Sequence, residues 1–392
     1  KEQYSVPGRK SIDHVLNRRL LFDIARYQKT SLAMTACDLK SCYDRIAHTP
    51  AIMACMGYGI SGAPLQSMFS TIQKTQFVTR TVFGDSKETF GGRETFSAYP
   101  QGSGQGNGSG PPVWAIISSR MFEVLKKRGL ATVMASPISK NTLELAGFAF
   151  VDDSDIIAAS GMCNDPEHIL QLMQKTIDCW EGVAKSTGGA LAPDKSWWYL
   201  VSFEWNEKGN WRYSNDTDLI LNDELTARDK DNNRVKLRYT DASVAKKMLG
   251  VFLAPDGSNE EQIEYMHKKS QKFGEFIRAG QVSQMEAWLA LTTMTTKSIE
   301  YPLPALTLSE KECTSIMWPI LKEFLPRSGM NRNMKRDLIY SSNKFQGLGL
   351  KNVYLLQGIA HVSDIIEHSW KRTITGHFIR MCLEALRLEI GV

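Results

Sequence analysis

The hydrophobic and polar positions of this chain change period several times, and each change marks an element. From Ser11 the apolar residues Ile12, Val15, Leu16, Leu20, Ile24 and Tyr27 recur at helical spacing. With Ser11 as N-cap after the Pro7-Gly8 break, this predicts a helix of about four turns. The run SLAMTACDLK then alternates Leu32, Met34 and Ala36 before Asp38, the pattern of a strand ending in a carboxylate. Helical spacing returns from Tyr43 through Met56. The stretch Gln76 to Phe96 alternates Phe77, Thr79, Thr81 and Phe83 and is broken at Gly84-Asp85 and Gly91-Gly92, which predicts a hairpin with turns there.

Further along, YPQGSGQGNGSGPPVW packs Gly102, Gly104, Gly106, Gly108 and Gly110 into a loop ahead of the helix-like WAIISSRMFEVLKK. Such a loop is either a plain linker or a place where backbone approaches a ligand at a helix start. No Lys-Ser/Thr pair closes it, so it is not a Walker loop. In AGFAFVDDSDIIAAS, Phe148 and Phe150 alternate before two adjacent acids and Ile156, Ile157 and two alanines follow. This predicts two short half-buried strands with Asp152 and Asp153 at the turn. Asp is also an ordinary turn residue, so the pair alone does not decide between a turn and a metal-holding tip. Pro166 to Lys185 is an amphipathic helix, followed by the turn Gly188-Gly189 and the strand-like KSWWYLVSFEW.

The polar stretch from Asn206 to Asp241 is expected to form surface hairpins. After Pro255-Asp256-Gly257 a helix is expected to start at Ser258 or Asn259. Its early Glu260, Glu261 and Glu264 and late Lys268, Lys269, Lys272 and Arg278 match the helix dipole. Its basic end is either a solvated face or a face for phosphates. The rest is mostly helical, broken at Gly347-Leu348-Gly349, and residues 258–392 form a helical C-terminal region.

Composition narrows the class only slightly. The 392 residues are 42% hydrophobic and 23% charged, with a net charge of +5, an ordinary globular balance that permits a polyanionic partner without requiring one. Seven scattered cysteines form no Cys-x-x-Cys pair, which argues against a zinc site or a disulfide framework and for a reducing compartment. No apolar run approaches the roughly 18 to 20 residues of a membrane helix and no signal peptide pattern opens the chain, so no membrane partner and an intracellular location, nucleus or cytoplasm, are expected. The text starts at Lys1 in mid-pattern, as in a piece of a longer protein.

Three acids at strand ends, Asp38, Asp152 and Asp153, are far apart in the chain, yet a sheet could gather them. Two divalent ions about 4 Å apart require such bridging carboxylates. Magnesium suits their hard oxygens, and substrate phosphates complete its octahedron. Phosphoryl or nucleotidyl transfer is the matching chemistry.

The order DLKSCYD, PQGSGQG, FVDD, APDKS, KMLGV resembles the palm motifs of reverse transcriptases. The opening PGRKSID and the C-terminal stretches IEYPLPALTLSEKE and FQGLGLKN are most similar to the polymerases of non-LTR, LINE-like retrotransposons. The resemblance covers essentially the whole chain. It implies an α+β right-hand polymerase fold: a fingers remnant over residues 1–30 with the fingers truncated, a palm of antiparallel sheet and packed helices over 31–257, and a helical thumb over 258–392.

The same resemblance implies roles. Asp38, Asp152 and Asp153 would hold two magnesium ions, or manganese, with the carbonyl of Leu39 as a further metal contact. Tyr43 would be the aromatic gate that meets a ribose 2′-hydroxyl, although an aromatic at such a junction is ordinarily a core residue. Gln101 and Gly102 would line the nucleotide and template pocket. Lys195 is either a surface lysine or the donor to the leaving pyrophosphate, and Arg9 either a surface arginine or a phosphate fork. Met248, Leu249 and Gly250 look like the primer grip. The implied partners are an RNA template, a DNA or RNA primer and dNTPs; oligomeric state is not indicated.

The chain departs from the family in having Ser5 and Val6 before Pro7-Gly8, and a glycine-rich loop in place of Gln-Gly-Asp-Pro. It also lacks the upstream fingers hairpin, which puts triphosphate affinity in question. An RNA-dependent RNA polymerase and an inactive nucleic-acid-binding remnant are the alternatives; Tyr43 opposes the first.

Overall fold

The computed structural model describes residues 2–91, 101–104, 106–161, 164–214, 224–229 and 232–391. The chain is a mixed α+β protein whose packing divides it into two units. One comprises Lys1–Lys10, Lys29–Ala135 and Lys140–Asp241, the other Ser11–Gln28, Ser136–Ser139 and Ala242–Val392.

In the first unit a sheet has the order Arg238–Thr240, Trp197–Val201, Leu32–Cys37, Asp153–Ala159, Gly147–Phe150. Leu32–Cys37 sits in the middle, antiparallel to both neighbours. All six of its residues are buried, which is why its pattern is a nearly continuous apolar run. The register pairs Ala33 with Ala158 and Leu200, and Thr35 with Ile156 and Trp198, so these residues share one face. The helix Pro166–Ser186 packs on the strands Leu32–Cys37 and Asp153–Ala159 and is in turn flanked by the helix Gly110–Lys127. Phe122 and Trp180, both fully buried, meet between the two helices at 4.8 Å between ring centroids. Aromatic side chains of this size bury about 150–250 Å² each, so the sheet has a stiff backing.

Several elements differ from their sequence expectation. Tyr43 lies in a turn, and the helix runs from His48 to Gly57. Ser41 takes φ +47°, off the helical path. Pro50, accommodated in the first turn of the observed helix, would break any helix extended back through Tyr43. In the hairpin Gln76–Thr81 and Gly84–Gly91 the turn falls at Val82-Phe83, earlier than Gly84-Asp85. Arg80 and Asp85 are cross-strand partners joined by two hydrogen bonds of 2.7 and 3.0 Å, which draws Asp85 into the strand. The expected turn at Gly91-Gly92 and the stretch to Phe96 lie at and beyond the edge of the described residues.

Arg238–Thr240 is no surface hairpin: it joins the central sheet, parallel to Trp197–Val201. Tyr239 stacks at 4.7 Å on Trp198, whose Nε1 donates to the Leu237 carbonyl at 3.2 Å. Hairpins do form at Phe203–Trp205 with Trp211–Tyr213 and at Thr226–Arg228 with Arg234–Lys236.

The second unit is largely helical. Glu260–Ala279, with Asn259 at its N-cap position and no side-chain cap bond, packs against Glu310–Arg327, and Ser11–Gln28 packs against Ile374–Ile390. Val15 shares an apolar core with Met266, Ile316 and Phe324, so the first helix goes with this unit while residues 1–10 go with the other. Residues 242–257 also fall here, including the hairpin Lys246–Met248 and Val251–Leu253. The chain is non-helical between Phe345 and Val353, around Gly347-Leu348-Gly349. Among the described residues no helix is long and apolar enough to cross a membrane.

Candidate functional site

The strands Gly147–Phe150 and Asp153–Ala159 are joined by a two-residue turn of Val151 and Asp152, with Phe150 paired to Asp153. Asp152 is the turn's tip and Asp153 opens the returning strand; both are half-buried. On the neighbouring strand the register runs Ala36 to Asp155 and Cys37 to Ser154. The pairing ends there, and Asp38 and Asp153 are the next residues along the two segments. Asp38 is fixed by its own backbone. Its N–H donates to Ser196 Oγ at 3.2 Å and its carbonyl accepts from the Ala192 N–H at 2.9 Å.

The electrostatics gather the same groups. Burial raises the Asp38 pKa above the usual carboxylate range, Asp152 and Asp194 raise it further, and Lys195 opposes them. Burial and then Asp152 push the Cys42 thiol up to about 12. The Tyr43 phenol is also pushed up to about 12, by burial first and then by Cys42 and Asp152. Asp38, Cys42, Tyr43, Asp152 and Lys195 therefore share one electrostatic neighbourhood, with more negative than positive charge.

Leu39 is bridged to Leu191 by bonds made on either side of it, Lys40 N–H to Ala190 at 2.9 Å and Ala192 N–H to Asp38 at 2.9 Å. This is the non-hydrogen-bonded position of an antiparallel bridge, so the Leu39 carbonyl faces away from 190–192.

Crowded, half-buried carboxylates with one lysine form a hard-oxygen donor set whose mutual repulsion a divalent cation would relieve. The residues present fit magnesium in donor type. Among the described residues no three His, Cys, Asp or Glu side chains already stand together as a metal cage; the acids are neighbours rather than a closed shell.

The glycine loop is stitched to the segment after Asp38. Gly102 N–H donates to Ile46 at 2.8 Å, and Ser103 N–H to Tyr43 at 2.8 Å. Gly102 has φ +86°, and a Cβ there would stand 2.4 Å from the Asp44 carbonyl oxygen. Sequence reasoning missed the residue that ties this junction. His48, 3% exposed, donates from Nε2 to the Gly102 carbonyl at 2.8 Å and accepts at Nδ1 from Gln73 at 2.9 Å. Its backbone N–H donates to Gln101 Oε1 at 2.9 Å. Carbonyl and amide partners of this kind set the tautomer to Nε2–H. Only a histidine two residues before a proline marked it in the text, and that is no signal. The Tyr43 ring covers the start of the next helix, where a Cβ on Gly110 would be 3.2 Å from its Cδ1.

Arg9 donates to the Gln3 carbonyl at 2.9 Å and lies 4.9 Å from the Tyr4 ring centroid. Met248, Leu249 and Gly250 lie in the other unit. Leu249 and Gly250, at φ +47° and +88°, are the two-residue loop of its hairpin, the pattern of a type I′ turn.

No protein-family model matches the chain, and no curated protein matches it. It is similar to solved telomerase structures. Telomerase of Candida tropicalis with a TWJ fragment of telomeric RNA aligns over 96% of this chain and 53% of its own at 12% identity and TM-score 0.38. The corresponding Candida albicans complex aligns over 97% and 55% at 10% identity and TM-score 0.36. Apo telomerase of Candida tropicalis truncated from the C-terminal domain aligns over 54% and 41% at 17% identity and TM-score 0.34. The chain thus spans about half the length of these proteins or less.

Proposed function

We propose that this chain is the RNA-directed DNA polymerase domain of a non-LTR retrotransposon, a right hand whose palm is the sheet-bearing unit and whose thumb lies in the helical unit. The observation that supports this is a strand register ending at Cys37 with Ser154, so that Asp38 and Asp153 are the next residues on the two segments, together with the influence of Asp152 on the Asp38 carboxyl.

Asp38, Asp152 and Asp153, with the Leu39 carbonyl, would hold two magnesium ions, which supply activation of the primer 3′-hydroxyl and charge for the triphosphate. The 3′-hydroxyl gives up its proton to solvent, its oxygen bonds to the α-phosphorus of a dNTP, the bond from that phosphorus to the bridging oxygen breaks, and pyrophosphate leaves. Lys195, the cation facing Asp38, donates charge and a proton to that leaving group. Gln101 and Gly102, held by His48, bring backbone close to the incoming base pair. Met248, Leu249 and Gly250 act as primer grip, and Arg9 is the forked donor to a phosphate.

The test is primer extension on an RNA template with magnesium and dNTPs. Extension lost in Asp152→Ala, with folding retained, is the expected result; extension that survives this substitution refutes the assignment. Template-primer binding that falls steeply with salt, without any extension, assigns the chain to the inactive binding class instead.

Tyr43 decides the sugar. Its ring packs over Gly110 and its carbonyl accepts from the Ser103 N–H, and a ring held there would meet a ribose 2′-hydroxyl. Tyr43→Ala should lower the preference for dNTP over rNTP, as a ratio of kcat/KM, by about 10–100-fold. An unchanged ratio removes Tyr43 from the gate.

A further inference from the structure

The acidic turn contains a backbone that its own residue opposes. Val151 has φ +57°, a left-handed conformation that is an outlier for a β-branched side chain. Such a residue persists only where its surroundings over-determine it.

Three contacts do so here. Gln3 Oε1 accepts the Val151 N–H at 3.2 Å, Gln3 Nε2 donates to the Val151 carbonyl at 3.3 Å, and Trp114 Nε1 donates to that same carbonyl at 2.6 Å. Both polar groups of one peptide residue are thereby held by buried side chains: Gln3 is 2% and Trp114 1% exposed.

Gln3 is itself immobilised. Its Nε2 donates to Ser118 Oγ at 2.9 Å, and Ser118 Oγ donates to the Trp114 carbonyl at 2.9 Å. The backbone of Gln3 forms a parallel bridge with Ala149. Tyr4 N–H donates to the Ala149 carbonyl at 2.7 Å, and Ala149 N–H to the Glu2 carbonyl at 2.9 Å. Glu2 is ion-paired with Lys126 on the helix that carries Trp114. The opening segment is thus an extra edge strand on Gly147–Phe150, and it delivers one amide side chain to the residue preceding Asp152.

We propose that Gln3 is a positioning residue for the acidic turn: with Trp114 it holds Val151 left-handed and so aims Asp152 and Asp153 at the side of the sheet where Asp38 lies. It touches no substrate. The inference rests on the polymerase function proposed above, because it assigns Gln3 an effect on that chemistry.

The experiment compares wild type, Gln3→Ala, and Gln3→Ala combined with Val151→Asn, in single-nucleotide addition, thermal melting and deuterium exchange of the peptide spanning 147–156. Asn adopts left-handed backbone far more readily than Val, so it removes the need for the clamp. Gln3→Ala should lower kcat about tenfold with KM for dNTP within about twofold, since misplaced reacting groups cost rate rather than binding. The double variant should recover most of that loss.

An unchanged kcat in Gln3→Ala overturns the proposal. So does a loss that follows the melting temperature and is not restored by Val151→Asn, which is what a merely structural role gives. If wild type itself does not extend a primer, the polymerase assignment fails, and the clamp is judged by exchange alone. About tenfold faster exchange of the 147–156 peptide in Gln3→Ala then supports it, and unchanged exchange overturns it.

Discussion

Asp38→Asn should abolish primer extension while leaving the protein as stable as wild type or more so at neutral pH. In the metal-ligand role proposed for it Asp38 would contribute only when charged, and its loss is expected to cost at least about 10³-fold in rate, roughly 4 kcal/mol of transition-state stabilisation. The stability change has the opposite sign. The folded-state pKa of Asp38 lies above its unfolded value because of burial, Asp152 and Asp194. The native state therefore binds more protons than the unfolded chain as pH rises through and above the ordinary carboxylate value, and stability falls over that interval. Asn carries no such titration. Its advantage should be present at pH 7 and disappear when the pH drops below the unfolded pKa, about 4. Single-nucleotide addition and melting curves at pH 7.5 and at low pH check both halves. A variant that keeps activity, or that melts well below wild type at pH 7.5, contradicts a carboxylate placed for chemistry at a cost to the fold.

That opposition between stability and chemistry was partly visible in the text. Asp38 directly follows the short apolar run Leu32–Cys37, and the acids of the hairpin follow Phe148 and Phe150 at period two, so local pattern was enough to set all three carboxylates at strand ends. The pairing of Leu32–Cys37 with Ser154–Ala159 spans more than a hundred residues and leaves no local trace. The same limit explains Arg238–Thr240. Its parallel pairing with Trp197–Val201 is earned by Tyr239 on Trp198, a contact no window of neighbouring residues contains. Tyr43 was assigned to a helix because its apolar neighbours keep helical spacing through Met56, yet Pro50 already limited how far back that helix could reach.

Residues that act by single hydrogen bonds were the least legible. Gln3 reaches Val151 across 148 residues, and His48 reaches Gly102 across 54. Polar side chains of this kind have no period, and their types are common. What the text did show was their object: a glycine in an unusual loop and two acids in an apolar turn. The structure adds that both objects are held by buried amides and imidazole rather than by the flexibility that a glycine-rich loop suggests.

Gly102→Ala should reveal how much of the site depends on that holding. The added methyl would stand 2.4 Å from the Asp44 carbonyl oxygen and 2.6 Å from its carbon, and Gly102 already has φ +86°. The left-handed backbone alone costs an L-residue about 1–2 kcal/mol. The clash adds to it because the opposing atoms are backbone and cannot rotate away. Relief requires the loop to retreat from Asp44, which breaks the bond from Gly102 N–H to Ile46 and lengthens those from His48 to Gly102 and Gln101. The loop and the Tyr43 ring beside it should then lose their register with the carboxylates, and kcat/KM for dNTP should fall about 100-fold, near 3 kcal/mol. Gly104→Ala is the matched control. Its φ is +72°, yet nothing lies within 4 Å of the added carbon, so it bears only the conformational cost and should lower kcat/KM no more than about tenfold. Equal losses in the two variants would mean that backbone conformation alone governs the loop; a large loss confined to Gly102→Ala ties nucleotide use to the contact with Asp44, six residues after Asp38.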